Sequence, residues 1–247
     1  DLSIAEMLEE LQEERLNNEA INPDSEDLED TEITAKLGVQ AAFNLTWEKL
    51  DDKTREVGEL LSLFNPNGIA WNYVESVSES LSWKKKDVRN AKKQLHGRNV
   101  IKRLEAEAAS YKIHPLISEF LKIKLPASAQ INELKQAFTS TFIEISKTIP
   151  ETSTLEFRDS VKNAIPHLTE VAENHLDVVS DDNLIPTFVG LERFYKAQGY
   201  TLAQPWYEQC VSVVRSRLGE NHPDTATSLN NLAFLYDSQG KYEEAEP

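Results

Sequence analysis

Apolar side chains recur every three or four residues along most of the chain, a spacing that predicts amphipathic helices. Over residues 2–18, Ile4, Leu8 and Leu11 share one face, and Ser3 is a candidate helix cap. Further helices are predicted over residues 36–50, 52–64, about 69–77 and the basic stretch that ends near Leu95. Between the helical segment 1–22 and these helices, the acidic and weakly hydrophobic residues 23–35 predict a flexible linker.

The hydrophobic period shortens after residue 100. Residues 100–104 and 110–114 are typical of short extended runs, and Tyr111 and Ile113 alternate with polar neighbours. We therefore predict a two-stranded hairpin across Glu105–Ala109, followed by a helix that begins at Pro115. Several helices followed by a short two-stranded wing indicate a winged-helix domain over residues 36–125.

From residue 126 onward, every segment is predicted to be helical. Three helices are expected over residues 128–148, 155–165 and 167–179, and the prolines between them favour antiparallel pairs. We assign residues 126–182 to a helical linker or to degenerate repeats. The predicted fold class is mostly all-α, with a winged-helix domain followed by an α–α superhelix.

The superhelix is predicted from a repeat in the last 60 residues. Residues 194–199 recur as residues 235–240, at an offset of 41. The second copy matches the tetratricopeptide (TPR) template, which places large, large, small and aromatic side chains in a first helix and a small one in the next. Those positions hold Leu229, Leu232, Ala233, Tyr236 and Ala245. We predict TPR repeats over residues 183–247, with the second repeat truncated.

The first copy of the repeat departs from this template at one position. Glu192 stands where the second copy has Ala233. Because a long charged side chain does not suit a tight helix crossing, this repeat is expected to splay or to act as a cap.

Helical geometry places a second set of side chains on the face opposite the template residues, the predicted concave side. In the second repeat these are Thr227, Asn230, Phe234 and Asp237, and in the first they are Val189, Arg193 and Lys196. Amide, aromatic and basic groups suit an extended chain, so the predicted ligand is an acidic or amphipathic peptide or protein. The alternative is that this surface packs against a further repeat or an upstream module.

Composition indicates the cytoplasm. The 247 residues include one cysteine, Cys210, which fits a reducing compartment and is expected to be an inert packing residue. No apolar run approaches the roughly 20 residues of a membrane span, and the N-terminus has no signal-peptide pattern, so no membrane partner is expected. The formal net charge of -16 argues against a general nucleic-acid-binding surface.

The charge is nevertheless distributed unevenly. Residues 1–35 carry 13 acidic side chains and one basic one, whereas residues 84–103 carry nine basic side chains and one acidic one. We expect this basic block to make intramolecular or protein contacts. The alternative function is a DNA-binding transcriptional regulator that uses the winged helix and the basic block, although nucleic acid is the less favoured partner.

No constellation of residues in the sequence indicates catalysis. The phosphate-cradling Gly-x-x-x-x-Gly-Lys-Ser/Thr loop is absent, as are Gly-x-Ser-x-Gly and His-Glu-x-x-His. His167, Glu170 and Asn174 could share a helix face, but one histidine and one carboxylate fall short of a metal site. We therefore expect no catalytic residue, no metal and no cofactor in this chain.

Several stretches resemble the region after the ATPase module in bacterial signal-transduction ATPases. These are the STAND or NB-ARC proteins, which are related to plant disease-resistance proteins. The resemblance rests on residues 38–47, 60–64 and 113–117. Residues 205–210 and 218–224 resemble the kinesin-light-chain-like TPR arrays that follow in the same proteins.

The resemblance implies a regulatory region in which TPR repeats bind a trigger and a winged helix relays it to an ATPase module. Residues 1–22 would then be the end of that module's helical domain, and ATP or ADP would bind only with the module, expected upstream of Asp1. The resemblance also gives His114 a nucleotide-sensing role; the alternative is a packing histidine at a strand-to-helix junction. The resemblance is also compatible with oligomers of the full-length protein.

Overall fold

The computed structural model describes residues 43–105, 109–125 and 130–246, which are mostly helical. These described residues form two compact units: one comprises those up to Ser62 and those from Pro66 to Leu125, and the other comprises Leu63–Asn65 and residues 130–246. The helix predicted within residues 1–22, the linker over 23–35 and the first residues of the domain predicted over 36–125 lie outside the described residues.

The first unit alternates helices with short strands. A helical segment over 43–48 precedes α1 (Asp52–Leu61), β1 (Ile69–Ala70), α2 (Trp71–Ser80), α3 (Lys85–Gly97), β2 (Lys102–Arg103), β3 (Ser110–Lys112) and α4 (Pro115–Lys124). Asp51 begins α1 by accepting a 2.8 Å hydrogen bond from the Thr54 backbone N–H, which satisfies a donor that helical bonding leaves open. The apolar side of α1 is buried, as the sequence periodicity predicts.

An aromatic cluster fills part of this unit's core. The rings of Phe43 and Phe120 meet edge to face with centroids 4.3 Å apart, and Trp47 lies 6.1 Å from Phe120. A glycine is needed beside them, because a Cβ on Gly58 would lie 2.7 Å from the Trp47 ring. Such close packing indicates that the helical segment 43–48, α1 and α4 share one core.

The three strands form one antiparallel sheet in the order β1-β3-β2. Ile69 is opposite Tyr111, and Lys102 is opposite Lys112. The antiparallel pairing predicted between residues 100–104 and 110–114 is confirmed by β2 and β3. The sheet has a third strand, however, because β1 pairs with β3 at the point where the sequence predicted the start of a helix. Two residues are too few to show a period of two, so β1 depends on its long-range partner rather than on local pattern.

The second unit is built from helices. They are α5 (Ile131–Thr148), α6 (Leu155–Val161), α7 (Ile165–Asn174), α8 (Leu184–Lys196), α9 (Tyr200–Leu218), α10 (Pro223–Ser238) and α11 (Tyr242–Ala245), with 3₁₀ turns at Leu176–Val178 and Asp181–Asn183. The helix predicted over residues 167–179 begins two residues earlier and ends at Asn174. Pro166 occupies its first turn, where the missing N–H leaves no helical hydrogen bond unmade.

Two close contacts fix the helices ahead of the repeat. Phe64 lies edge to face with Phe138 of α5 and His167 of α7, at centroid separations of 4.9 and 5.0 Å. Where α5 crosses α8, the Ser146 hydroxyl accepts a 2.9 Å bond from the Gly190 N–H and donates a 2.5 Å bond to the Pro186 carbonyl. A Cβ on Gly190 would lie 2.4 Å from that hydroxyl, so only glycine permits this approach.

Candidate peptide-binding face

Template residues of the second repeat lie on the side of α10 that packs against α9. Leu232 packs against a buried cluster formed by Ala203 and Tyr207 of α9 with Leu235 of α10. Farther along the crossing, the Tyr236 hydroxyl donates a 2.9 Å hydrogen bond to the Glu208 carboxylate. Burial and this carboxylate raise the pKa of Tyr236 to about 12, so its hydroxyl stays protonated at neutral pH.

The four residues predicted to line a groove in the second repeat are all exposed on α10. They are Thr227, Asn230, Phe234 and Asp237. Phe234 is the prominent member, because 57% of this apolar residue is accessible to water. The Thr227 hydroxyl donates to the Pro223 carbonyl at 3.0 Å, so part of its hydrogen-bonding capacity is used within the helix.

The groove residues of the first repeat are partly engaged by the segment that follows α5. Val189 is half-buried, and Arg193 Nη1 donates a 2.8 Å hydrogen bond to the Ile149 carbonyl. Lys196 Nζ lies 3.2 Å from Glu151 Oε1, and only 17% of its side chain is exposed. The basic character that Arg193 and Lys196 were expected to give this surface is therefore reduced, because the charge of Lys196 is paired within the chain.

Lys196 also connects the two repeats. Its Nζ lies 5.1 Å from the centroid of the Phe234 ring, within the range of a cation–π interaction. The structure thus brings Arg193, Lys196 and Phe234 together on one face, with Glu151 at its edge. We call these four residues the Phe234 face. The repeat pattern gave no signal for Glu151, because this residue precedes the repeated segment.

The predicted splaying of the first repeat is wrong at Glu192. This carboxyl is 3% exposed and is hydrogen-bonded to the Cys210 thiol of α9, so α8 and α9 pack with it between them. Burial raises the pKa of Glu192 to about 7, which leaves much of it neutral near pH 7. Burial, with Glu192 beside it, raises the pKa of Cys210 as well. Cys210 is buried, as expected of an inert packing residue.

His114 begins a helix in the first unit. Its Nδ1 accepts a 3.3 Å hydrogen bond from the Leu116 backbone N–H at the start of α4. Burial, and to a smaller extent the nearby charge of Lys112, lower the pKa of His114, so the ring is neutral at neutral pH. Because Nδ1 accepts a hydrogen bond, the proton of the neutral ring is on Nε2. This geometry accounts for a packing histidine at a strand-to-helix junction.

The residues considered for a metal site form a hydrogen-bonded group instead. His167 Nδ1 accepts from the Asn65 N–H at 3.1 Å, and the Glu170 carboxylate accepts from the side-chain amides of Asn65 and Asn174. In the described ranges there is no cluster of three His, Cys, Asp or Glu residues that could hold a metal ion.

The tetratricopeptide repeat family model matches residues 194–247. The region from the end of α8 onward is therefore of TPR type, and TPR repeats typically bind protein partners. Searches of curated proteins and of solved structures each found no match. Among the helices that the structure describes, none is long and apolar enough to cross a membrane.

Proposed function

We propose that the TPR region binds an extended segment of a protein partner across the Phe234 face. The observation that supports this most is an exposed phenylalanine held beside a lysine on a TPR-type repeat. Exposed aromatic rings with a polar surround are typical centres of protein interfaces. The ring offers an apolar anchor, while the exposed side-chain amide of Asn230 can bond to the backbone of the partner segment.

We further propose that the chain is the regulatory region of a STAND/NB-ARC-type protein, in which a winged-helix domain relays partner binding to an ATPase module. The order of elements supports the winged helix: two helices lie between β1 and β2, and the three strands form one antiparallel sheet. His114 would sense nucleotide through its Nε2–H, since its Nδ1 is used as a helix cap.

The proposal assigns this chain no catalysis and no cofactor, with ATP or ADP bound only by the ATPase module. A cytoplasmic location belongs to the same proposal, and the buried thiol of Cys210 is consistent with it. Partners would be the peptide ligand and the intramolecular ATPase module. Oligomers of the full-length protein are compatible with this arrangement.

A pulldown with the whole chain tests the peptide-binding proposal. The variant Asn230→Ala with Phe234→Ala removes the anchor and the amide, and we expect it to lose partners that the wild type retains. The control Leu202→Ala with Ser216→Ala changes an exposed apolar and an exposed polar residue of α9 instead. If the two double variants, both folded by circular dichroism, retain the same partners as wild type, the proposed face is not the binding surface.

A further inference from the structure

The accessible charges of the Phe234 face are acidic. The Lys196 side chain is only 17% exposed, whereas the Glu151 side chain with which it pairs is 67% exposed. Arg193 is half-buried, and its Nη1 donates a hydrogen bond to the Ile149 carbonyl. A partner that approaches from solvent therefore meets the Glu151 carboxylate before it meets either cation.

A second carboxylate lies beside the Phe234 ring on α10 itself. Asp237 is exposed and follows Phe234 by three residues, a spacing at which side chains are neighbours on a helix surface. Glu151 is close to the ring as well, because the Lys196 Nζ atom lies 3.2 Å from Glu151 Oε1 and 5.1 Å from the ring centroid. The exposed ring thus has accessible carboxylates beside it from two different segments.

The unit that carries this face is acidic as a whole. Its described residues include 18 Asp and Glu side chains and nine Lys and Arg side chains, a formal charge of -9. A field of this sign attracts cationic segments and repels anionic ones during encounter. The sequence predicted an acidic or amphipathic ligand from Arg193 and Lys196, but both cations are bonded within the chain.

We propose that the segment bound on the Phe234 face is basic and apolar, with a Lys or Arg side chain two residues from the apolar side chain that covers the ring. This inference rests on the proposed function and names the class of partner. In an extended segment, residues i and i+2 lie on the same side about 7 Å apart, close to the roughly 5–6 Å between neighbouring positions on a helix surface. An apolar side chain over Phe234 therefore brings the basic one to Asp237.

Glu151 can bind a second cation without releasing Lys196. Lys196 is paired with Oε1, and an ionised carboxylate accepts hydrogen bonds at both of its oxygens. An acidic ligand residue at the same place would face the carboxylates of Glu151 and Asp237, and such like-charge contacts are unfavourable. The face thus selects basic segments by attraction and excludes acidic ones by repulsion.

Fluorescence anisotropy with the whole chain and two labelled Gly/Ser-based peptides tests this inference. One peptide contains Leu-Ser-Arg twice, and the other contains Leu-Ser-Glu at the same places. At 50 mM salt, we expect the basic peptide to bind about five-fold more tightly or better, the ratio that two exposed ion pairs produce. The preference should shrink at 500 mM salt, because surface charges are then screened.

Two variants of the face should change this preference. Glu151→Gln with Asp237→Asn should lower the affinity for the basic peptide about five-fold, and Glu151→Lys with Asp237→Lys should favour the acidic peptide. The matched control, Glu173→Gln with Asp182→Asn, removes the same charge from exposed positions outside the face and should keep the preference of the wild type.

The variant Phe234→Ala separates this inference from the proposed function. We expect it to weaken binding of the basic peptide. If it does so while the wild type binds the acidic peptide as tightly as the basic one, the face stands and its basic selectivity is overturned. The inference is also overturned if the wild type binds neither peptide, or if the control variant loses the preference as fully as Glu151→Gln with Asp237→Asn. Unchanged peptide binding by Phe234→Ala would contradict the face itself.

Discussion

The two copies of the repeat have different side chains at the same position of the helix crossing. At the position where α10 has the small Ala233, α8 has Glu192, yet that carboxyl is buried against α9 rather than turned to solvent. A thiol makes this tolerable, because Cys210 is hydrogen-bonded to the carboxyl. A template position can therefore hold a large polar group when the neighbouring helix supplies a partner and burial keeps the group partly neutral.

Replacing the carboxyl should change how stability depends on pH. The folded pKa of Glu192 is about 7 and its ordinary value is 4.5, so the folded state binds the proton more tightly. The contribution of Glu192 to the free energy of unfolding is therefore greatest below pH 4.5. It falls as the pH rises towards 7 and is then constant, and the total loss is about 3 kcal/mol.

Chemical unfolding of wild type and Glu192→Gln at pH 5 and pH 8 measures this difference. The wild type should lose about 2.5 kcal/mol more than the variant between these pH values, because part of the total loss occurs below pH 5. Glu156→Gln, at an exposed position, should follow the wild-type profile. An unchanged pH profile in Glu192→Gln would mean that the buried carboxyl does not titrate in this range.

A second difference between the copies is the glycine of α8. Gly190 allows the close approach to Ser146, whereas the corresponding position of α10 holds Asn231. Gly190→Ala should destabilise the protein by about 2 kcal/mol, since the added methyl group meets the Ser146 side chain and backbone.

The midpoint of urea unfolding reports this effect. Gly97→Ala is the matched control, because a Cβ there meets nothing within 4 Å. Equal midpoints for the two variants would show that α5 and α8 move apart at little cost.

The copies also begin differently. Helix α10 starts with His222, whose Nδ1 accepts the Asp224 N–H at 3.2 Å, and Pro223 follows in the first turn. Asn183 makes no such side-chain cap at the start of α8. His222→Ala should cost about 1 kcal/mol, whereas Asn183→Ala should cost less, and thermal unfolding distinguishes the two. A larger loss of stability from Asn183→Ala than from His222→Ala would contradict the assignment of the stronger helix cap to His222.

The smallest expected effect concerns the contact that joins the copies. Lys196→Met removes both the ion pair with Glu151 and the contact with the Phe234 ring, and we expect a loss of about 0.5 kcal/mol. A double-mutant cycle with Phe234→Leu isolates the second interaction. A coupling energy near zero would mean that the ring and the ammonium group do not interact in solution.

Local sequence was sufficient for many features of this fold. The apolar spacing of α1 and α5 and the template residues of α10 predicted helices, and helical geometry placed Thr227, Asn230, Phe234 and Asp237 on one side of α10, where all four are exposed. These features depend on residues within one or two helical turns of each other, which is the range over which periodicity carries information.

Other features were decided only when distant segments met. Strand β1 exists because Ile69 pairs with Tyr111, and Glu192 is accommodated because Cys210 faces it from the next helix. Glu151 reaches the Phe234 face from a segment 45 residues before Lys196. The contact of Lys92 in the basic block with the rings of Trp71 and Tyr111 also needed the fold. Each depends on a partner far away in the chain, and hydrophobic periodicity specifies which face is buried without naming the partner.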